Sequence, residues 1–267
     1  TGYRKTPFTL RILHNIRNKK YDLIINLHSS ATSEWLTKFS AAKSKIIHNH
    51  NGLLKGDLEI PKAAERIYGH WRDLLVLEAM DIPYVKKLPV ISISEVQKRL
   101  SYDFLQINNI KKGTVFIAPF ASCDSKTWEL KKFIELADQI SEAEYNVAFI
   151  AEDKNQEITG KYKVIVSDNL PLLAGVISSG KCYIGNDTGI AHIASATGIP
   201  VIIIFGPSSV DEWFPYSSSR NKAIQIDVSC RGEGCGKREC IDKACLNEID
   251  ANRVFNEFLG MFEQSNG

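Results

Sequence analysis

Strand-like and helix-like patterns of apolar residues alternate along the second half of the chain. Short apolar runs, typical of buried strands, are separated by stretches whose apolar positions recur at helical spacing. The predicted strands are residues 114–118, 146–151, 163–167, 181–185, 200–205 and 222–226, and the predicted helices are residues 129–140, 153–160, 170–178, a helix from residue 190, and residues 250–262. This alternation predicts a doubly wound parallel sheet, with a ligand site at the carboxyl ends of its strands.

The first half of the chain has fewer strand signals. Its predicted elements are a helix at residues 8–17, a strand at 23–27, a helix at 33–39, a strand at 45–48, a helical stretch at 61–80 and a helix that Ser94 caps. Two strands are fewer than a stable doubly wound domain normally has, so we expect this domain to be incomplete or to depend on the second one. The polar segment Asn108–Gly113 is the best linker candidate, and the predicted domains are residues 1–110 and 111–267.

Composition and charge exclude several classes of protein. Apolar residues make up 44% and charged residues 24% of the 267 residues, as in ordinary globular proteins. The net charge of +2 argues against a nucleic-acid binder. Apolar runs fall far short of a membrane span, and the start of the chain has no pattern of a secretory signal. We therefore expect a cytoplasmic protein.

Basic residues are concentrated near the N-terminus. Residues 1–45 carry nine Lys or Arg against two acidic residues, a net charge of +7, which leaves −5 for the rest of the chain. A basic end suits an anionic partner or a peripheral contact with an anionic membrane surface. Solvated faces of the early helices are an equal alternative.

The six cysteines raise the question of disulfides or metal binding. Four of them follow one another at five-residue intervals: Cys230, Cys235, Cys240 and Cys245. Without a secretory signal, reduced thiols are favoured over a disulfide framework. Zinc sites usually use more closely spaced Cys pairs, so structural zinc is the less favoured alternative to unligated thiols.

The most informative segment is residues 183–215, YIGNDTGIAHIASATGIPVIIIFGPSSVDEWFP. It predicts a strand, a polar turn at residues 186–189, a helix and a second strand, which form a βαβ unit. A helix N-terminus at this turn offers backbone N–H groups and the positive end of the helix dipole to a phosphate. Asp187 and Thr188 are also helix-capping residue types, and capping is the alternative interpretation.

Two further residues of this segment favour a ligand site. Gly189 has no side chain, so a ligand can approach the backbone closely. His192 lies one helical turn later and can face the same place. The alternative is the packing or surface role that a lone His on a helix more often has.

The second informative segment is residues 114–130, TVFIAPFASCDSKTWEL. It predicts a strand, a loop of small and polar residues, and a helix. Lys126 lies at the mouth of this turn and is well placed to contact a phosphate as a point charge, while Ser122 and Ser125 can donate hydroxyl hydrogen bonds to the same group. A solvated lysine beside a packing tryptophan is the alternative. Lys132, in the following helix, is expected to lie on the helix surface and to contribute almost nothing to donor binding.

The sequence of both segments resembles the bacterial heptosyltransferase family, which builds the inner core of lipopolysaccharide. That family has a Pro-Gly-Ala-Ser-like loop followed by Lys-x-Trp, although Phe120 stands here where the family usually has Gly. The matching residues of this loop are Pro119, Ala121, Ser122, Lys126 and Trp128, and those of the other segment are residues 186–189, His192, Pro200 and residues 205–208. Cys245, Leu246 and Val254 are similar to the end of a Cys-rich insert that family members carry before the final helix.

The resemblance implies an α/β protein of the GT-B fold, in which two Rossmann-like doubly wound domains face each other across a cleft, with the N-terminal one incomplete here. It implies inverting, metal-independent transfer of a heptose from an ADP-sugar to a lipopolysaccharide core acceptor, without a cofactor. The implied partners are the ADP-sugar donor and the lipopolysaccharide core acceptor, and no nucleic acid. The enzyme is expected in the cytoplasm, with peripheral contact to the inner membrane surface.

The resemblance also implies roles for individual residues. Lys126 and Asp187 are expected to carry the chemistry at the departing diphosphate. The expected substrate-binding residues are Ser122, Ser125, Lys126, Glu157, Asp187, Thr188, Gly189, His192, Gly206 and His28. Glu152 and Glu157 both follow a predicted strand, and either could contact the ribose of the donor. An exposed surface charge is the alternative for both. His28 is expected to face the acceptor, with a polar loop start as an equal alternative.

One part of the family pattern is not matched. Family members begin with a strand and a Gly-Asp turn whose Asp is taken as the catalytic base, and nothing before Tyr21 matches that turn. We therefore expect the first βα units to be missing, in a chain that begins with Thr1 and is a fragment or a processed product. Two alternatives from other classes stay open: a nucleotide-sugar-binding module without transferase activity, and a Cys-rich zinc interaction domain on an α/β scaffold.

Overall fold

The computed structural model describes residues 7–28, 30–48, 58–60, 68–152, 156–214, 220–231 and 240–263. The chain divides into two compact units, Thr1–Lys87 and Leu88–Gly267. The strands of each unit form a parallel sheet. None of the described helices combines the length and the apolar character that crossing a lipid bilayer requires.

The N-terminal unit contains a small parallel sheet. Its elements are α1 (Pro7–Lys19), β1 (Leu23–Asn26), α2 (Ala31–Phe39), β2 (Ser44–His48), β3 (Leu58–Ile60) and α3 (Gly69–Ala79), and its strands pair in the order β1-β2-β3. Ser30 caps α2 through a capping box with Ser33. The two predicted strands are confirmed. The third strand, β3, has only three residues and ends directly before Pro61, so it leaves no periodic signal in the sequence.

The C-terminal unit alternates strands and helices. Its elements are α4 (Glu95–Ile107), β4 (Val115–Ala118), a 3₁₀ turn (Asp124–Lys126), α5 (Leu130–Glu142), β5 (Val147–Ala151), α6 (Gln156–Thr159), β6 (Lys163–Val166), α7 (Leu170–Ser178), β7 (Cys182–Asn186), α8 (Gly189–Ala196), β8 (Val201–Ile204), α9 (Val210–Trp213), β9 (Asn221–Ile224), α10 (Ala244–Asn247) and α11 (Ala251–Glu263). Each of the six predicted strands is confirmed to within two residues at either end. The helices α9 and α10 span four residues each, too few to show helical periodicity.

The order of the strands locates the switch point of this unit's sheet. The strands pair as β6-β5-β4-β7-β8-β9, which is the Rossmann order 3-2-1-4-5-6 when they are numbered within the unit. The strand order reverses between β4 and β7, so the topological switch point lies there. Val115 pairs with Cys182 and Ala118 pairs with Gly185. Because β4 and β7 end side by side, the loops that follow them meet at the switch point.

The central strands are buried on both faces of the sheet. Every residue of β4, β7 and β8 is buried, as in sheets that helices cover on both sides. One core cluster joins the sheet to α5 and α11, and the other joins it to α4, α7 and α8. The buried residues of α5 recur at helical spacing, which explains why the periodicity located this helix: Phe133, Leu136, Ala137 and Ile140.

Helix α4 belongs to the C-terminal unit, so the unit boundary lies before it, whereas the sequence places the boundary after it, at residues 110 and 111. The Ser101 hydroxyl on α4 donates to Gln97 O at 2.7 Å, and its oxygen lies 3.4 Å from the Leu172 carbonyl oxygen of α7. A Cβ at Gly175 would lie 2.1 Å from that hydroxyl oxygen, so Gly175 is what lets α4 approach α7 closely. The polar segment Asn108–Gly113 is a turn between a helix and a strand of one unit.

Candidate functional site

Two loops meet at the switch point of the C-terminal sheet. The loop after β4 carries Lys126, the loop after β7 carries Asp187, and Lys126 Nζ lies 2.8 Å from Asp187 Oδ2. The Asp187 side chain is 7% exposed and the Lys126 side chain 32% exposed, so the carboxylate is shielded while the ammonium group still reaches solvent. The fold thus brings two residues that are 61 positions apart, and that the sequence marks as the chemical centre, into direct contact.

A tight turn presents Lys126 at this place. The 3₁₀ turn is closed by a hydrogen bond from Lys126 N to Cys123 O at 3.1 Å. Ser125 is buried within the turn. A Cβ on Gly206 would lie 3.1 Å from the Ser125 carbonyl oxygen, a tight contact, so Gly at position 206 lets the loop after β8 pass close to the turn without displacing it. Ser125 and Gly206, both predicted as substrate contacts, therefore support the turn that carries Lys126.

Asn186, the last residue of β7, ties the two loops together. Its side chain is fully buried. Trp128 N donates to Asn186 Oδ1 at 3.0 Å, and Asn186 Nδ2 donates to Pro119 O at 2.7 Å. One side-chain amide thus fixes both ends of the loop that carries Lys126. Asn186 is not among the predicted site residues, and the signal that could have found it is an amide at the end of an otherwise apolar strand.

Helix α8 begins at Gly189, two residues after Asp187. Thr188 is its N-cap residue, but among the described residues the Thr188 side chain makes no capping hydrogen bond. The Asp187 carboxylate pairs with Lys126. A Cβ at Gly189 would meet no atom of the described residues within 4 Å, so the first residue of the helix faces open space. The positive end of the helix is therefore accessible to an anion next to the Lys126 charge.

His192 lies one turn into α8 and interacts electrostatically with both members of the ion pair. Burial lowers the pKa of His192 below its usual value, the Asp187 carboxylate opposes this shift, and the Lys126 ammonium group adds to it. The imidazole is therefore neutral at neutral pH and offers one hydrogen-bond donor and one acceptor.

The lowered pKa of His192 predicts a pH-dependent stability. The unfolded chain takes up this proton at a higher pH than the folded chain, so the stabilising contribution is fully present above about pH 6.5 and is lost as the pH falls toward the folded pKa. His192→Gln removes this titration. We expect the unfolding free energy of the wild type relative to His192→Gln to be constant above about pH 7 and to fall from about pH 6.5 downward. Chemical denaturation at several pH values measures it, and a difference that does not change with pH would contradict the shift.

A cavity of about 820 Å³ opens next to the first turn of α8, over the carboxyl ends of β4, β5 and β6. It is lined by Ala118, Phe120, Ala121, Ser122, Ile150, Ala151, Glu152, Val166, Ser167, Asp168, Leu170, Leu173, Thr188, Gly189, Ile190 and Ile193. Mostly apolar walls with a few polar groups are typical of a small-molecule site, and the volume suits one. Three predicted residues, Ser122, Thr188 and Gly189, lie in this wall.

The remaining predicted residues have different positions. The carboxylate after β5 that lines the cavity is Glu152, whereas Glu157 lies in α6 with its side chain outside the described residues. Ser167 and Asp168, which follow β6, also line the cavity and are not among the predicted residues. Polar residues at the carboxyl end of a predicted strand were the available signal for them. His28 follows β1 in the N-terminal unit and is exposed.

Lys132 is not the solvent-facing lysine that the helical pattern predicts. Its Nζ donates to Asn247 O at 2.6 Å and to Ile249 O at 2.9 Å, and it lies 6.0 Å from the centre of the Trp128 ring. Lys132 therefore has a structural role that the helical pattern does not predict, because it joins α5 to the chain between α10 and α11. That it contributes almost nothing to donor binding stays a prediction. Its exposed neighbour Lys131 is the better control residue.

The Cys-rich segment is described only in part. Cys235 lies outside the described residues, Cys230 and Cys240 are exposed, and Cys245 is buried. Within the described ranges, no three His, Cys, Asp or Glu residues come together as a metal site would require. Unligated thiols therefore stay the prediction for these four cysteines, and structural zinc stays the less favoured alternative.

Comparison with known proteins supports one family. The family model described as glycosyltransferase family 9 (heptosyltransferase) matches residues 9–243. Lipopolysaccharide heptosyltransferase 2 of Salmonella typhimurium is 25% identical to this chain, over 95% of this chain and 79% of that protein.

Solved structures share the fold. The structure of Escherichia coli ADP-heptose lipopolysaccharide heptosyltransferase II superimposes with a TM-score of 0.71 and 22% identity, over 97% of this chain and 82% of that chain. An Escherichia coli heptosyltransferase solved with ADP-2-deoxy-2-fluoro heptose gives a TM-score of 0.63 and 14% identity, over 97% of this chain and 77% of that chain. The predicted α/β fold of the GT-B type is confirmed.

Proposed function

The chain belongs to glycosyltransferase family 9, the heptosyltransferase family, and we propose that it transfers a heptose from ADP-heptose to a lipopolysaccharide core acceptor. We further propose that the reaction inverts the anomeric carbon and needs no metal ion. The names of the similar proteins support this donor and this acceptor: one is a lipopolysaccharide heptosyltransferase and another an ADP-heptose lipopolysaccharide heptosyltransferase. We also propose that the enzyme is cytoplasmic and that its basic N-terminal residues contact the anionic membrane surface.

The ion pair of Lys126 and Asp187 at the switch point is the observation that carries the proposal. A nucleotide-sugar donor has a diphosphate between its nucleoside and its sugar, and Lys126 offers this group a cation that reaches solvent. The buried Asp187 carboxylate holds that cation toward the N-terminus of α8. Ammonium groups and helix N-termini both bind phosphate, so the two act on one ligand group.

The neighbouring cavity suits the nucleoside of the donor. Its walls include Ile150, Ile190 and Ile193, which offer apolar surface to a base, and Glu152, which offers a carboxylate to the ribose hydroxyls. Thr188 lines the cavity and directly follows Asp187 in the chain, so a donor bound in the cavity reaches the ion pair through its diphosphate. Neutral His192 adds a hydrogen bond at the same turn of α8.

The proposed step is a displacement at the anomeric carbon. The acceptor hydroxyl oxygen forms a bond to that carbon, the bond from the carbon to the diphosphate oxygen breaks, and ADP leaves with the electron pair. The hydroxyl proton passes to a general base. Lys126 and the N-terminus of α8 stabilise the charge that develops on the departing diphosphate, which is the main electrostatic requirement of the reaction.

A transfer assay tests the proposal. The purified chain is incubated with ADP-heptose and a lipopolysaccharide core acceptor that lacks the heptose, and mass spectrometry follows the acceptor while a coupled assay follows ADP. We expect slow transfer, because no residue of this chain matches the family's catalytic base and a positioned base contributes about 10²–10⁴-fold to such a step. The acceptor should gain one heptose for each ADP released, with no ADP release when the acceptor is left out. UDP-glucose in place of ADP-heptose is the control.

The alternative of a binding module without transferase activity makes a different prediction in the same assay. Tight binding of ADP-heptose with no gain of mass on the acceptor would favour that module. Absence of both binding and transfer, in a folded preparation, would contradict the assignment of the donor site as well.

A further inference from the structure

The chain after the Cys-rich stretch contacts the turn that presents Lys126. Lys243 Nζ lies 2.5 Å from Asp124 Oδ1. The Lys243 side chain is only 23% exposed, whereas that of Asp124 is 61% exposed, so the lysine reaches the carboxylate while packed against the protein. Asp124 is the first residue of the 3₁₀ turn that ends at Lys126. The ion pair therefore connects two segments, 119 positions apart, at the edge of the proposed donor site.

The other end of the same chain segment holds the start of α5, the helix after the turn. Trp128 Nε1 donates to Ile249 O at 3.0 Å, and Lys132 Nζ donates to the carbonyl oxygens of Asn247 and Ile249. Trp128 is fully buried, so its indole N–H needs this acceptor. We call residues 243–249 the brace segment, because they contact the Lys126 turn at one end and α5 at the other.

The brace segment is itself anchored in the core. Its buried members are Cys245, Leu246 and Ile249. Lys243 has a left-handed backbone conformation, with φ of 44°, and its N–H donates to Cys240 Sγ at 3.4 Å. A non-glycine residue keeps such a conformation only when its surroundings hold it there. Lys243 therefore presents its side chain to Asp124 from a fixed backbone.

We propose that Lys243 is a positioning residue for donor binding. Through its ion pair with Asp124, Lys243 fixes the 3₁₀ turn, so that Lys126 is already ordered when the diphosphate binds. A turn that is ordered before binding does not lose conformational freedom when the ligand arrives, and the affinity is higher for that reason. The inference rests on the proposed function, because it takes the ADP diphosphate as the ligand of Lys126. It also gives a role to residues 240–243, at the described end of the Cys-rich stretch, because Lys243 connects them to the donor site.

Variants with an uncharged side chain at position 124 or 243 separate the positioning effect on ADP affinity from a simple effect of charge. Asp124→Asn removes a negative charge near Lys126, so a purely electrostatic effect strengthens ADP binding. Lys243→Met removes a positive charge and keeps the side-chain length, so a purely electrostatic effect weakens it. Positioning predicts weaker ADP binding for both variants, by about three- to fivefold each, which is the upper range for a partly exposed ion pair.

The double variant Asp124→Asn/Lys243→Met completes the test. It should bind ADP no more weakly than either single variant, because both changes remove one and the same contact. Titration calorimetry with ADP measures the affinities, and Lys222→Met, which removes an exposed ion pair with Glu257, is the matched control and should bind like the wild type. Tighter ADP binding by Asp124→Asn, or a double variant that binds like the wild type, would overturn the proposal.

A measurement without ligand tests the turn directly. Lys126 N donates to Cys123 O and Thr127 N donates to Asp124 O, so their amide exchange reports on the order of the turn. We expect both amides to exchange about threefold faster or more in Asp124→Asn and in Lys243→Met, with unfolding midpoints close to that of the wild type. Unchanged exchange would overturn the proposal. If the wild type does not bind ADP, the proposed function fails, and the exchange rates still decide whether Lys243 fixes the turn.

Discussion

Lys126→Ala is expected to lower the affinity for ADP by about 10- to 100-fold, the largest loss of affinity at the proposed donor site. A hydrogen bond to a charged group contributes about 1.5–3 kcal/mol, and each 1.4 kcal/mol or so corresponds to a factor of ten in affinity. The change also leaves the Asp187 carboxylate, only 7% exposed, without the ammonium group that balances it. The ligand diphosphate would then meet a negative charge in place of a positive one.

The measurement is a calorimetric titration of wild type and variant with ADP and with AMP. AMP lacks the second phosphate, so we expect a smaller loss for AMP than for ADP if Lys126 contacts the diphosphate. Lys131→Ala is the matched control, because this exposed lysine lies five residues further along, and its ADP affinity should stay within about twofold of the wild type. Equal ADP affinities for Lys126→Ala and Lys131→Ala would remove Lys126 from the donor site.

Asn186→Ala is expected to cause the largest loss of stability among single changes at the site. The Asn186 amide is fully buried and satisfies both Trp128 N and Pro119 O. Each buried polar group left without a partner costs about 1–3 kcal/mol, so the unfolding free energy of the C-terminal unit should fall by about 2–6 kcal/mol. Because the same amide holds the loop that carries Lys126, ADP binding should weaken even under conditions where the variant is folded.

Asn186→Asp keeps one of the two hydrogen bonds of Asn186 and removes the other. A carboxylate still accepts from Trp128 N but cannot donate to Pro119 O, and it places a charge in a fully buried position. We expect it to be destabilised as well, while Asn252→Ala, which removes only an exposed hydrogen bond from Gln139, should change the unfolding free energy by less than about 0.5 kcal/mol. Denaturant unfolding measures all three variants. An Asn186→Ala variant as stable as Asn252→Ala would show that the amide does not hold the loops.

The pattern of apolar positions was sufficient for the fold of the C-terminal unit. Its central strands β4, β7 and β8 are buried on both faces and therefore form apolar runs, and α7 was located without error, at Leu170–Ser178. The boundary between the units was not accessible in this way. Asn108–Gly113 has the composition of a linker, but the packing of α4 against α7, with Ser101 close to Gly175, shows that α4 belongs to the second unit. Local composition does not reveal which helices touch.

The candidate site was predictable where family-like motifs contain its residues. Lys126 and Asp187 lie in separate motifs after neighbouring strands, and the strand order brings them together. The supporting residues were not predictable, because their roles depend on contacts that are remote in sequence. Asn186 bonds to residues 58 and 67 positions away, and Lys132 to residues 115 and 117 positions away. A helical pattern alone made Lys132 an ordinary surface lysine.

The central claim is that the two loops at the switch point of the C-terminal sheet form the donor site, and hydrogen exchange with and without ADP tests it most directly. We predict that ADP slows amide exchange at residues 119–128 and 187–193. A second cavity, of about 250 Å³ and lined by Lys111, Lys161 and Lys163 among others, lies elsewhere on the same unit and also offers positive charge. Protection there, with unchanged exchange in both loops, would contradict the claim.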